Sequence, residues 1–391
     1  MIMIQKRGAK KMKRIDVEKL SGLVREHTLS ELRENRIGGK EVIVHQNGKC
    51  VYHETFGTAC AGGQAQAKPL IYRAASMTKP ITAAAVAIAA DRGLLDLDAP
   101  AWDFYPQMKR LQVATVEDGR IVSLRPAVNV IRVRDLLSHT TGLGCSPVVE
   151  AVKENTSKMT LHEAIDWMLE KPLAFEPLTQ QSYSSTAAFD IAAGIVETVS
   201  GLPFDAFLKK YLFDPLRMTD TTFAPNAEQR QRMAPVHIRT PEGTGETAVM
   251  PEGCVFENYI TARLMAGGGI ATSAADYIRF ADMLCAGGVG EDGCRVLSES
   301  MVRRMATPNM PEEIDMGCER WGFGMRIVTA SWYPHGLGVG CFGWSGFYGT
   351  HFWVDPENKL AVVMMKNSYF DGGAGNSSAV QLERDVSEAL C

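Results

Sequence analysis

Strand-like sequence lies at the two ends of the chain and helix-like sequence between them, and this arrangement limits the possible folds more than any other feature. Residues 41–46 (E-V-I-V-H-Q) and 49–53 (K-C-V-Y-H) flank Asn47-Gly48, a dipeptide suited to a type I′ hairpin turn because both residues tolerate positive φ. Residues 347–354 and 360–365 flank Asp355-Pro356-Glu357-Asn358 and read as a second antiparallel pair. In between, helical periodicity covers 133–138, 161–170, 185–199, 203–211 and 274–285, punctuated by Gly142, Pro177, Gly201, Asp214-Pro215 and Gly267-Gly268-Gly269. The expected fold is α+β: one antiparallel sheet built from both termini, flanked by helices, with a mostly helical insertion. The expected division is a basic tail (1–14), an α/β sandwich domain (15–97 and 262–391) and a mostly helical domain (98–261). A small-molecule site is expected in the cleft between the two domains.

The chain has 391 residues, 46% hydrophobic and 22% charged, enough for a large core. A net charge of −4 gives no reason to expect nucleic acid. The N-terminal cluster Lys6, Arg7, Lys10, Lys11, Lys13 and Arg14 lacks interleaved aromatics and reads as a solvated tail. Residues 15–32 read as an amphipathic charged helix, not as the apolar stretch of a secretory signal. The longest apolar run, 81–90, is too short to span a bilayer, so no membrane association is expected. Nine cysteines without a CxxC or a close Cys/His group argue against disulfides and zinc, and a cytoplasmic location is expected.

Ser76-Met77-Thr78-Lys79 is the only Ser-x-x-Lys in the chain, and Pro80 and the alanine-rich run follow at once. The segment predicts a helix over 76–92, with Pro80 in its first turn and Gly93 past its end. Positions three apart on a helix share a face, so the Lys79 amine is within reach of the Ser76 hydroxyl. A serine that attacks a carbonyl needs a partner to take its proton. Lysine does this only when neutral, and burial among Ala74, Ala75 and residues 81–90 favours the neutral form. The helix start also offers free N–H groups and a positive dipole end to a developing oxyanion. The same residues also read as an N-cap serine followed by an exposed first-turn lysine, and a chain of this size supplies about one such four-residue match by chance, so the motif alone favours the capping reading.

Two more segments bear on the choice. Residues 181–186 (Q-S-Y-S-S-T) form a polar loop just before a helix, and residues 342–349 (F-G-W-S-G-F-Y-G) open the last hairpin, where glycines mark close backbone approach. In this order and spacing the three segments resemble the serine β-lactamase and penicillin-recognising superfamily, in particular its class C β-lactamase-like branch and the esterases within it. Ser76 and Lys79 match the first motif, Tyr183-Ser184-Ser185 the second (usually Tyr-x-Asn), and Trp344-Ser345-Gly346 the third (usually Lys-Thr-Gly or His-x-Gly). Residues 134–143 (R-D-L-L-S-H-T-T-G-L), 214–218 (D-P-L-R-M), 267–276 and Gly349-Thr350 look like further family markers, so the resemblance covers about residues 38–370.

The resemblance implies a β-lactamase/transpeptidase-like fold in which Ser76 forms an acyl-enzyme and Lys79 and Tyr183 share the proton transfers, with either as the immediate base. It implies an oxyanion hole from the backbone N–H groups of Ser76 and Phe347, and substrate contacts at Trp344, Ser345, Gly346, Ser185 and Tyr348. No metal or organic cofactor is implied. Two departures bear on substrate. Trp344 stands where the family carries a cation suited to a carboxylate, and Ser185 stands where it carries an asparagine amide. Trp-x-Gly is the form of the family VIII carboxylesterases, so the expected substrate is a small or medium uncharged carboxylic ester. The alternatives are an acyltransferase on the same acyl-enzyme, weak β-lactam or D-amino-acid peptide hydrolysis, and a ligand-binding protein without turnover. Trp332, Tyr333, Phe347 and Tyr348 are candidates for apolar cleft wall. His139 is expected to make structural hydrogen bonds in its marker loop, and His351 lies within reach of the third motif. Gly343 to Gly346 begins a Gly-x-Ser-x-Gly pattern that Phe347 breaks.

Overall fold

The computed structural model describes residues 12–57, 69–152, 159–239, 245–248, 264–368 and 372–391. The basic residues Lys6, Arg7, Lys10 and Lys11 lie outside them. Seven strands form the central sheet: β1 (Gly39–Gln46), β2 (Lys49–Gly57), β3 (Glu319–Trp321), β4 (Arg326–Val328), β5 (Phe342–Ser345), β6 (His351–Asp355) and β7 (Leu360–Met365). Their spatial order is β2-β1-β7-β6-β5-β4-β3, antiparallel throughout. The N-terminal hairpin pairs directly with the last strand, from Glu41 opposite Met365 to Gln46 opposite Leu360. Asn47 and Gly48 have φ of 54° and 68°, which a type I′ turn requires.

Helices α1 (Val17–Arg33) and α5 (Ser377–Glu388) cover one face of this sheet and α4 (Ala274–Cys285) the other, with α2 (Thr78–Asp91) and α3 (Ala187–Ser200) packed on each other in the core on the α4 side. Side chains alternate across it with the two-residue period of a strand. Val42, Val44, Trp353, Val362 and Met364 meet Leu20 and Val24 of α1 and Leu382 and Val386 of α5. Ile43, Phe352, Val363 and Met365 point the other way, into a core shared with α2, α3 and α4. Each such fully buried Val, Leu, Ile or Phe contributes about 1.5–3 kcal/mol of transfer free energy.

Helix α2 is buried along almost its whole length, from Thr78 to Ala89. Its alanines face α3, which is itself rich in small residues (Ala187, Ala188, Ala192, Ala193, Gly194), and small side chains let the two helices pack closely. A β-carbon on Gly194 would collide with the Tyr105 hydroxyl.

Several boundaries differ from the sequence expectation. The strand expected over 347–354 starts only at His351, because 346–350 form a tight turn: Gly346 N–H donates to Thr350 O at 2.7 Å, and Gly349 has φ of 88°. The third motif therefore lies on β5 and in that turn. Strands β3 and β4, three residues each, were not anticipated. The segment 133–138 is a 3-10 helix, Val133–Leu137. The stretch expected to be mostly helical also contains the two-stranded ribbons Gln112–Glu117 with Arg120–Pro126 and Val236–Arg239 with Gly245–Ala248. Among the described residues, no single helix is long and apolar enough to cross a membrane.

Candidate active site

Ser76 lies in a 3-10 turn, Ala75–Met77, that runs directly into α2 at Thr78. It is not a helix N-cap: Met77 holds that position, and no side chain caps α2. Ala75 has a left-handed φ of 46°, a conformation that an alanine adopts at a cost. Surrounding contacts hold the turn. The Tyr277 hydroxyl of α4 donates to Met77 O at 2.8 Å, Ala74 N–H donates to Ile270 O at 2.9 Å, and the Thr350 hydroxyl donates to Ala74 O at 3.0 Å. Ser76 itself is half-buried, between the sheet and the helices.

Lys79 is fully buried. Its Nζ lies 3.3 Å from Ser76 Oγ and 2.7 Å from each of two backbone carbonyls, Ser185 O and Gly267 O. Three acceptors match the three N–H donors of an ammonium. One carbonyl comes from the loop after Tyr183 and the other from the glycine-rich segment before α4, so the lysine ties together three parts of the chain distant in sequence. Gly267 must be glycine, since a β-carbon would lie 2.5 Å from Ser185 O and 2.9 Å from Thr186 Cα. The segment is held in turn by the buried Asp190 carboxylate of α3, which accepts Ala266 N–H at 2.8 Å, and by Thr82 of α2, whose hydroxyl donates to Ala266 O at 2.7 Å.

Tyr183 lies beside the lysine, with Nζ 4.7 Å from its ring centroid. It is 36% exposed, so the phenol opens to solvent. Its oxygen accepts a hydrogen bond from the indole N–H of Trp344 at 3.2 Å. The ring stacks on His139, centroids 4.5 Å apart and planes 27° apart, and Trp344 meets Trp321 edge-on at 4.6 Å. Burial, with the Lys79 charge acting in the same direction, pushes the His139 pKa well below the usual imidazole range, so the ring is neutral.

The third motif approaches the nucleophile turn through its backbone. A β-carbon on Gly346 would collide with Ala74 O and with the Thr350 hydroxyl, so only glycine lets β5 come this close. That contact sets the 346–347 backbone next to the Ala74–Ser76 turn. The Phe347 side chain is 45% exposed. A cation is present behind Trp344: the Arg326 guanidinium lies 5.7 Å from its ring centroid, but it pairs with Glu319 at 2.8 Å.

The structure thus brings together Ser76, Lys79, Tyr183, Trp344 and Gly346. Other expected contacts lie elsewhere. Ser345 is buried, with its hydroxyl 2.8 Å from His351 Nδ1, and His351 faces Glu383 of α5 at 3.2 Å, which turns Ser345 to the opposite side of β5 from Trp344. The alternation of a strand explains this: Trp344 is paired with Phe352 and Ser345 with His351, on opposite faces. Tyr348 is fully buried and packs edge-on against Phe347, so it supports the turn instead of presenting a surface. Ser185 contributes its carbonyl to Lys79. Tyr333 donates to Glu383 on the α5 side, away from Ser76, and Trp332 is 65% exposed.

His139 makes the structural hydrogen bonds expected of its marker loop, to Ser182 N–H and Ser184 N–H. Trp321 and Asp190 were missed by the sequence reading, and 267–276 stood there as a family marker and as punctuation without a role for Gly267, because a backbone carbonyl as ligand leaves no sign in residue type. Among the described residues, no three His, Cys, Asp or Glu side chains gather as a metal ion would need.

Comparison with known proteins bears on the family and the fold. Protein Rv1367c of Mycobacterium tuberculosis is 30% identical over 316 residues, covering 75% of this chain and 77% of that protein. Esterase EstB of Burkholderia gladioli is 26% identical over 378 residues, covering 88% of this chain and 89% of that one. The solved structure of EstCE1, described as a hydrolase with promiscuous acyltransferase activity, matches with a TM-score of 0.80 at 20% identity, over 95% of this chain and 99% of that one, which establishes a common fold. The Beta-lactamase family profile matches residues 23–382, and the chain belongs to that family of hydrolases.

Proposed function

We propose that the protein is a serine carboxylesterase acting on small to medium uncharged acyl esters through an acyl-enzyme at Ser76. The observation that carries this reading is the Trp344 N–H on Tyr183 Oη at 3.2 Å, beside the Ser76–Lys79 pair. An indole has one N–H and no charge, and this one is committed to the phenol, so the third motif offers no cation to a substrate carboxylate. The guanidinium behind it, Arg326, is committed to Glu319.

In this reading Tyr183 first gives its phenolic proton to solvent, and Ser76 Oγ then attacks the ester carbonyl while the Tyr183 phenolate oxygen takes the hydroxyl proton. Lys79, whose three donors all have acceptors, acts as the fixed positive charge beside the phenol. The tetrahedral oxyanion sits on the backbone N–H groups of Ser76 and Phe347. The C–O bond to the alcohol then breaks, and the alcohol leaves with the proton from Tyr183. Water attacks the acyl-enzyme by the same route and releases the acid and a regenerated Ser76.

The half-exposed Tyr183 and Phe347 border this site, and an alcohol in place of water in the second step gives acyl transfer. The descriptions of EstB as an esterase and of EstCE1 as a hydrolase with promiscuous acyltransferase activity support both outcomes of one acyl-enzyme. The test is turnover of p-nitrophenyl butyrate and of a carboxylate-bearing counterpart, mono-p-nitrophenyl succinate, by wild type and Ser76→Ala. Turnover is expected to favour the neutral ester and to vanish in the variant. Equal rates in the two proteins would end the reading. Adding a primary alcohol and looking for the transesterified product separates transfer from hydrolysis.

A further inference from the structure

The tripeptide that carries Tyr183 is held on both sides by one residue from another part of the chain. The His139 backbone carbonyl accepts Ser182 N–H at 3.0 Å, and its ring Nδ1 accepts Ser184 N–H at 3.0 Å. Between these two bonds the imidazole face stacks on the Tyr183 ring. His139 is fully buried, and its backbone is left-handed with φ of 58°, a conformation that histidine, like asparagine and aspartate, adopts more readily than other non-glycine residues but still at a cost. With Nδ1 acting as acceptor, the proton of the neutral ring is on Nε2, which is buried with no hydrogen-bond partner among the described residues, and the ring lies among aromatic side chains, Trp321 at 4.3 Å and Phe189 at 5.4 Å between centroids. A strained backbone and an unpaired buried donor both cost stability. A residue kept only for packing would carry neither.

We infer that His139 is the positioning residue of the second motif, fixing the height and tilt of the Tyr183 phenol over Lys79 and Trp344 without itself exchanging a proton. The inference rests on the role proposed for Tyr183. The titratable groups that face the ring among the described residues are Lys79 of α2 and Tyr183. The other rings around it, Phe189 of α3 and Trp321 of β3, carry no charge. Two substitutions divide the contacts. His139→Asn places an amide oxygen near the Nδ1 position and tolerates the left-handed backbone, but removes the stacking face. His139→Phe keeps the stacking face and removes the acceptor for Ser184 N–H.

The experiment measures kcat and KM for p-nitrophenyl butyrate in wild type, Ser76→Ala, Tyr183→Phe, His139→Asn, His139→Phe and the double variant Tyr183→Phe/His139→Asn. Each single His139 variant is expected to lower kcat about tenfold or more with KM changed less than threefold, because a misplaced phenol affects the chemical step. The acid limb of the pH–rate profile is expected to persist in His139→Asn. In the Tyr183→Phe background, His139→Asn is expected to cost less than twofold further, since a residue that acts only through the phenol oxygen has nothing left to place. A general packing role would instead give the full tenfold loss in both backgrounds. If His139→Phe does not fold, His139→Asn and the double variant still decide. Unchanged kcat in a folded His139→Asn, or additive losses, or disappearance of the acid limb overturns the inference alone. Full activity of Ser76→Ala or Tyr183→Phe overturns the functional reading, and the inference with it.

Discussion

Trp344 has the chemistry of a tryptophan but the position of a cation. Its N–H gives Tyr183 a neutral hydrogen bond, worth about 0.5–1.5 kcal/mol in net terms, where a lysine or histidine would add a full charge. Trp344→Phe keeps the ring against Trp321 and removes the donor, so kcat/KM for neutral esters is expected to fall by up to roughly tenfold. Trp344→Lys is expected to raise the ratio of carboxylate-bearing to neutral ester turnover, measured as paired kcat/KM values. If the ratio does not move, substrate charge is sensed elsewhere. His139 makes a second prediction at this scale. Its folded pKa lies below the unfolded value of about 6.5, so the unfolded chain takes up a proton that the folded site refuses. This contribution to stability is complete above about pH 6.5 and is lost as pH falls below it, at up to about 1.4 kcal/mol per pH unit. The gap in unfolding free energy between wild type and His139→Asn is expected to narrow from pH 7 to pH 5.5 in denaturant titrations. A gap constant with pH would mean that the folded site lets the ring take up a proton as readily as the unfolded chain does.

At the scale of elements, the site is made where three segments pack on the start of α2. Gly267→Ala tests this packing. Its β-carbon meets the backbone of 185–186, so both carbonyls that hold Lys79 must move. The expected result is a loss of about 1–3 kcal/mol in stability and at least tenfold in kcat, read from thermal melts and initial rates. A variant with wild-type kcat would show that the lysine does not need those two acceptors. Legibility in the sequence divides along the same line. Ser76, Lys79 and Tyr183 could be read because residue type and spacing carry their chemistry, and the Asn47-Gly48 hairpin because a turn has a residue signature. The carbonyls of Ser185 and Gly267 could not, since any residue supplies a carbonyl. The face of β5 on which Ser345 lies could not be read, because the expected strand over 347–354 hid a turn between two strands, 342–345 and 351–355, and β3 and β4 are too short to show a two-residue period.

For the whole molecule, the first and last strands of the described sheet are neighbours of one another, and the nucleophile turn lies where the face of that sheet meets the helical layer. The family match over 23–382 and the EstCE1 superposition describe the same scaffold. That scaffold holds Ser76 on a buried helix start, brings Lys79 to its hydroxyl and carries Tyr183 on a loop from the helical side. The central claim is that Ser76 is acylated by neutral esters. It is tested most directly by quenching the enzyme with acid during turnover of p-nitrophenyl butyrate and measuring the intact protein and its peptides by mass spectrometry. The account predicts a butyryl adduct confined to the peptide containing Ser76, absent in Ser76→Ala and accumulating in Tyr183→Phe only at a reduced rate. A butyryl group on any other residue during productive turnover, or turnover by Ser76→Ala at the wild-type rate, would contradict it.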